Sequence, residues 1–183
     1  MINVAIAAVH AASLPDAQSK ELTDDEVRDQ VKAYLGTIDT PITAKDWQAL
    51  GPRANSLLEE IARDPKQLPT RRAKAIDGLA SLNGPQAPAL LAEVAAREEE
   101  PVTVRLAAVR GLGRVTPERR SVSVLRPLLE GAKDSRVRAV AGEQLAQRTH
   151  GRSCDLIRAQ AARESGQGRG HFRRALARYT AAQ

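Results

Sequence analysis

The sequence predicts an all-α solenoid of about four helical hairpins behind an N-terminal helical extension. Three observations carry this prediction. The pattern R-x-x-A-x-x-x-L recurs at a fixed interval: Arg72, Arg105 and Arg138 are 33 residues apart, as are Ala75, Ala108 and Ala141, and Leu79, Leu112 and Leu145. A second apolar segment precedes each copy, so each unit holds two helices. The aromatic residues are only Tyr34, Trp47, Phe172 and Tyr179. A core of Ala and Leu with so few rings suits closely packed helices and argues against strands.

The middle copy, residues 103–115 (TVRLAAVRGLGRV), shows why the spacing matters. On a helix, Val104, Ala108, Val109, Leu112 and Val115 form one apolar stripe, while Leu106, Arg110 and Arg114 face away. One such helix cannot bury its stripe alone, so it needs a partner in its own unit and neighbours on either side. Leu57, Leu58 and Ile61 precede the first copy, and Leu90, Leu91 and Val94 precede the second. Val124, Leu125 and Leu128 precede the third in looser register, with Pro127 among them. The breaks at Asp64-Pro65, Gly84-Pro85, Pro101, Pro117 and Gly131 separate helices at about 53–63, 69–82, 86–98, 102–115, 121–132 and 135–148. A fourth, degraded hairpin is expected at about 152–164 and 171–181, with Gly166, Gly168 and Gly170 as a flexible connection. Phe172, Leu176 and Tyr179 would give it a terminal apolar stripe.

At V104-R105-x-x-A108-x-x-x-L112 and V137-R138-x-x-A141-x-x-x-L145 the chain resembles the HEAT-repeat family, including its phycobilisome-lyase-type bacterial branch. The likeness covers roughly residues 52 to 150 and is weak at both ends. It implies a stacked array of a kind that serves many partners and is not specific for one function. It also implies that the Arg column bonds to acids or carbonyls of adjacent repeats. Asp64, Glu100 and Asp134 lie shortly upstream of Arg72, Arg105 and Arg138 as candidate acids. Two enzymatic HEAT-like families are not matched. Deoxyhypusine hydroxylase resembles this fold but binds iron through His-Glu pairs, and no His-Glu dipeptide occurs here. HEAT-like DNA glycosylases use an aromatic-lined acidic cleft, for which a single Trp outside the repeats is too little.

Residues 1–22 read as a flexible N-terminal segment or signal remnant, and 23–183 as the solenoid domain. The apolar run Val4 to Ala12 has signal-core length but no preceding Lys or Arg. A cytoplasmic location is therefore expected, with export as the alternative. No run approaches the roughly 18 apolar residues of a membrane span. Thr23, followed by Asp24, Asp25 and Glu26, starts a helix that ends at Gly36. A short helix after Thr43 carries Trp47, which is expected to cover the open end of the first hairpin.

The net charge of +6 is unevenly spread. Residues 1–147 carry 20 basic and 20 acidic groups, whereas 148–183 carry eight Arg and two acids. Those Arg residues fit a solvated surface, an acidic protein partner or nucleic-acid phosphates. The residues facing away from the stripe on the second helices alternate in sign: Asp77, Arg110 and Glu143 along one row. A phosphate-binding groove should be more uniformly basic, so the mixed row favours a protein partner. The expected contacts are Asp77, Leu106, Arg110, Arg114, Arg136 and Glu143; the alternative, for nucleic acid, is Arg169, Arg173, Arg174 and Arg178. No catalytic or metal-ligand spacing is evident, and no cofactor is implied. His10, His150 and His171 are scattered, and Gly151 interrupts the helix between His150 and Cys154. Cys154 is the lone cysteine, with no base placed to activate it.

Overall fold

The computed structural model describes residues 22–38 and 40–180, without the side chains of 178–180. The expected N-terminal segment falls almost wholly outside these residues, and the Arg178 and Tyr179 side chains fall outside them too. Helices α1 (Asp24–Gly36) and α2 (Ala44–Ala49) come first. Four pairs follow: α3 (Ala54–Arg63) with α4 (Pro69–Leu82), α5 (Ala87–Ala96) with α6 (Val102–Val115), α7 (Glu118–Gly131) with α8 (Ser135–Arg148), and α9 (Cys154–Arg163) with α10 (Gly166–Thr180). The fold is an all-α solenoid. The helix starts follow local chemistry. Thr23 and Thr43 each form a reciprocal capping box, with Glu26 and Asp46, satisfying amide groups that the first turn leaves unpaired. Asp134 caps α8 by accepting from the Arg136 amide.

The second helices α4, α6, α8 and α10 pack side by side in one layer. The first helices form the other layer and touch one another less. An array packed more tightly on one side bends toward that side, so the second helices line its inner face. Between the layers lie the repeating apolar residues: Ala75, Leu79, Ala108, Leu112, Ala141 and Leu145 have no exposed surface. The close approach depends on small residues. A Cβ on Gly113 of α6 would collide with the Gln144 side chain of α8, which is buried there.

The N-terminal extension continues the stack. α2 packs on α4 and α1 on α3, so they stand where a preceding hairpin would stand. Trp47 is buried against Gly78 just as Ala80 lies against Gly111, and both pairs are separated by 31 positions. Tyr34 meets the Trp47 ring edge to face, with centroids 5.3 Å apart. Trp47 thus covers the end of the first hairpin, as its position predicts.

Two expectations need correction. The third unit is looser because α7 has 14 residues where α3 and α5 have 10. The link before α7 and the turn after it shorten in compensation, which leaves α8 on the 33-residue period. The segment around Gly166, Gly168 and Gly170 is not a connection but the first turn of α10, which therefore starts five residues earlier than the 171 expected from the sequence. Gly168 permits this: a Cβ there would collide with Glu164 and lie 3.2 Å from the Ser135 Cβ. The second helices hence start at 69, 102, 135 and 166, and the last interval is 31. In that register Arg169, Phe172 and Leu176 repeat Arg138, Ala141 and Leu145.

The Arg column is a ladder joining successive pairs. Arg72 is 3% exposed; it donates to the Ala62 carbonyl at 2.9 Å and to Glu100, in the next pair, at 2.7 and 2.8 Å. Arg105 donates to the Ala95 carbonyl at 3.1 Å and forks onto Glu98 at 2.5 and 2.9 Å. Glu98 in turn accepts the Lys133 amide of the following turn at 3.1 Å. Arg138 donates to the Ala132 and Lys133 carbonyls and forks onto Glu164 at 2.6 Å through both nitrogens. Arg169 donates to the Glu164 carbonyl at 3.4 Å. Of the acids suggested by sequence, Asp64 bonds instead to Lys66 and Gln67 in its own turn, and Asp134 to Arg136. Glu100 serves Arg72, one unit back, and not Arg105. Only an acid in a turn flanking the first turn of the second helix comes within reach of these guanidinium groups.

Two measurements test this account. Leu112→Ala should cost about 2–5 kcal/mol in denaturant unfolding, since the site has no exposed surface to relax into. Hydrogen bonding to Arg138 holds the Glu164 carboxyl below its ordinary range. Its folded-state pKa therefore lies below the unfolded one. The stabilisation is complete above the unfolded pKa and drains away as pH falls through the folded value. Glu164→Gln should cost on the order of 2–3 kcal/mol at neutral pH and flatten the acid-side loss of stability. An acid limb as steep in the variant as in the parent would refute the ladder's role.

Candidate functional site

On the inner face, α6, α8 and α10 enclose a depression of about 330 Å³. Its floor is apolar, from Leu106, Ala139, Val140 and Ala175. Its rim is charged, from Arg110, Arg136, Glu143, His171 and Arg174. Four of the six expected contacts, Leu106, Arg110, Arg136 and Glu143, therefore meet in one place. The other two lie further along the same face. Asp77 of α4 pairs with Arg114 of α6 at 2.7 Å, and Asp77 borders a separate depression with Ile38, Ile42, Trp47 and Lys74.

The charges are not equivalent. Burial pushes the Asp77 carboxyl up, while Arg114 and then Arg110 draw it down. The Arg136 side chain, hydrogen-bonded at 2.7 and 3.1 Å, holds Asp134 at about 2, so that guanidinium is already partly neutralised. Arg110 and Arg174 are exposed and have no ion-pair partner among the described residues. The His171 Nδ1 lies 3.2 Å from the Ser135 hydroxyl, which orients the ring at the rim. The resulting site can hold an apolar side chain on its floor and anionic groups at its edge.

Sequence reasoning missed His171 and Arg174 as rim residues because the last interval is shortened. With α10 aligned at an offset of 31, Arg174 follows Asp77, Arg110 and Glu143 as the next member of the alternating row. The residues proposed for nucleic acid do not form one patch. Arg169 is the fourth ladder residue and borders the open end of the array with Arg173, beside Phe172 and Leu176. Arg174 turns to the inner groove, and the Arg178 side chain lies outside the described residues. Elsewhere in the basic segment, Arg148 donates to the Thr116 carbonyl, Arg152 pairs with Glu118, and Arg158 pairs with Asp155 at 2.8 Å. Cys154 is buried, while His150 is exposed in the left-handed turn that ends α8. No group of three or more metal-ligating side chains occurs among the described residues. Among them, no helix is long and apolar enough to cross a membrane.

Since Arg110 and Arg174 are exposed and unpaired, Arg110→Glu and Arg174→Glu should each shift unfolding free energy by no more than about 0.5 kcal/mol. A thermal melt lowered by many degrees would mean that either residue belongs to the structural ladder instead of the groove.

Residues 94–177 match the family model for HEAT repeats. Comparison with curated proteins returns no match, and comparison with solved structures returns none either. The match extends to Ala177 and so reaches into the second helix of the fourth pair, where sequence resemblance faded. It does not reach the phycobilisome-lyase-type branch or the source of the chain. Residues 94–177 are thus similar to HEAT repeats, and the fixed period and the equivalent Arg ladder carry the same pattern back to Arg72.

Proposed function

We propose that the protein is a non-enzymatic adaptor that binds a protein partner through the groove lined by its second helices. HEAT repeats generally mediate protein–protein interaction, and that supports the class of function. The observation that carries the reading is the depression between α6, α8 and α10, where Leu106, Arg110, Arg136 and Glu143 converge on an apolar floor with a charged rim. An apolar centre with polar edges is the usual anatomy of a protein interface. The alternating charges of the row supply register and discrimination. The remaining expected contacts, Asp77 and Arg114, would extend the interface toward α4. The compartment we assign is the cytoplasm, supported by the lone Cys154.

The nucleic-acid reading is disfavoured by the division of Arg169, Arg173 and Arg174 between two surfaces. Affinity purification from the native host, quantified by mass spectrometry, tests the choice. A protein partner should be retained by the parent and by Arg173→Glu, and lost with Arg110→Glu. Duplex DNA should bind no tighter than about micromolar at physiological salt. Tight, steeply salt-dependent DNA or RNA binding that Arg173→Glu abolishes would overturn the adaptor reading.

A further inference from the structure

The groove's partner can be narrowed by its electrostatics. Around the apolar floor of Leu106, Ala139, Val140 and Ala175, three guanidinium groups and one imidazole face a single carboxylate, Glu143. The cations differ in availability. Arg136 is engaged by Asp134, but Arg110 on α6 and Arg174 on α10 have no ion-pair partner among the described residues, and they stand on opposite sides of α8. The Ser135 hydroxyl holds one nitrogen of His171. The excess charge is therefore positive, with two separate free guanidinium groups flanking an apolar patch.

We infer that this groove binds an acidic peptide segment in which an apolar side chain is flanked on both sides by carboxylates. This deepens the adaptor reading and rests on it. The apolar side chain sits on the Leu106–Val140 floor, and the flanking carboxylates reach Arg110 on one side and Arg174 on the other. Guanidinium groups fork onto carboxylates and are weakly hydrated, so each pairing costs less desolvation than an ammonium would. The apolar floor between them selects a chain whose central residue is uncharged. A phosphate backbone fits less well, because its evenly spaced charges would place one against the apolar floor.

A displayed library of random peptides of about ten residues, panned on the full chain, tests the inference. Selected peptides should be enriched in Asp and Glu on both sides of Leu, Ile or Val. A synthetic copy of the best peptide should lose at least about tenfold in affinity by fluorescence anisotropy with Arg110→Glu/Arg174→Glu. It should be little affected by Arg163→Glu, an exposed residue of α9 outside the groove. Enrichment of Lys and Arg, absence of enrichment, or equal weakening by Arg163→Glu would overturn the acidic-peptide assignment. So would equal binding of an oligo-dT strand that depends on the same two Arg residues. If the assignment fails while the host partner is still lost with Arg110→Glu, the groove stands and only its partner's chemistry is wrong. If the partner is also indifferent to Arg110→Glu, the adaptor site itself is misplaced.

Discussion

The stack depends on a charged group placed where charge is expensive. A guanidinium buried in the first turn of a second helix is tolerable only if its donors are met. Arg72, Arg105 and Arg138 meet them with a carbonyl of the preceding turn and a carboxylate. For Arg72 and Arg138 that carboxylate belongs to the next pair, and for Arg105 it is Glu98 of the same pair, whose Oε1 also accepts the Lys133 amide of the next. Arg72 and Arg138 are thus satisfied only when two hairpins are stacked in register, and Arg105 is tied to the next pair through Glu98. Apolar burial between neighbouring helices tolerates sliding; a forked Arg–carboxylate bond does not. The hydrophobic stripes supply attraction, and the ladder fixes the position at which it is collected.

The same constraint positions the groove. Second helices held in register put every residue that faces away from the core into rows across the inner surface. Asp77, Arg110, Glu143 and Arg174 form such a row from four different helices. Small residues let those helices come close enough for the row to be continuous. Gly113 makes room for Gln144, and Gly168 makes room for α10 against Ser135. The groove is therefore a by-product of packing in the layer beneath it.

Most of the array was legible because its signal is periodic. Leu112 and Val104 fall in the core where the 33-residue interval and the helical stripe place them, and Leu106, Arg110 and Arg114 fall outside it. What was not legible is what breaks the period. The lengthened α7 hides because its extra residues are taken from the links on either side. The start of α10 hides because three glycines in five residues read as a breaker, and only contact with Ser135 and Glu164 makes them useful in a helix. Partners for the Arg ladder were misassigned for a related reason. Proximity along the chain pointed to Asp64 and Asp134, whereas stacking brings Glu100 and Glu164 into reach. The rim residues His171 and Arg174 were missed through the same two-residue slip.

The burial of Trp47 has a consequence for how the molecule can be watched. It is the lone tryptophan, and it belongs to α2, at the opposite end of the inner layer from α10. Intrinsic fluorescence therefore reports on one unit, while helical dichroism averages over the whole length. In a linear array each unit is steadied by its neighbours, so units can loosen separately. The Tyr34–Trp47 contact is thus a sentinel for the α1–α2 unit. A gap between the two optical signals on gentle heating would measure how far cooperativity travels along the chain.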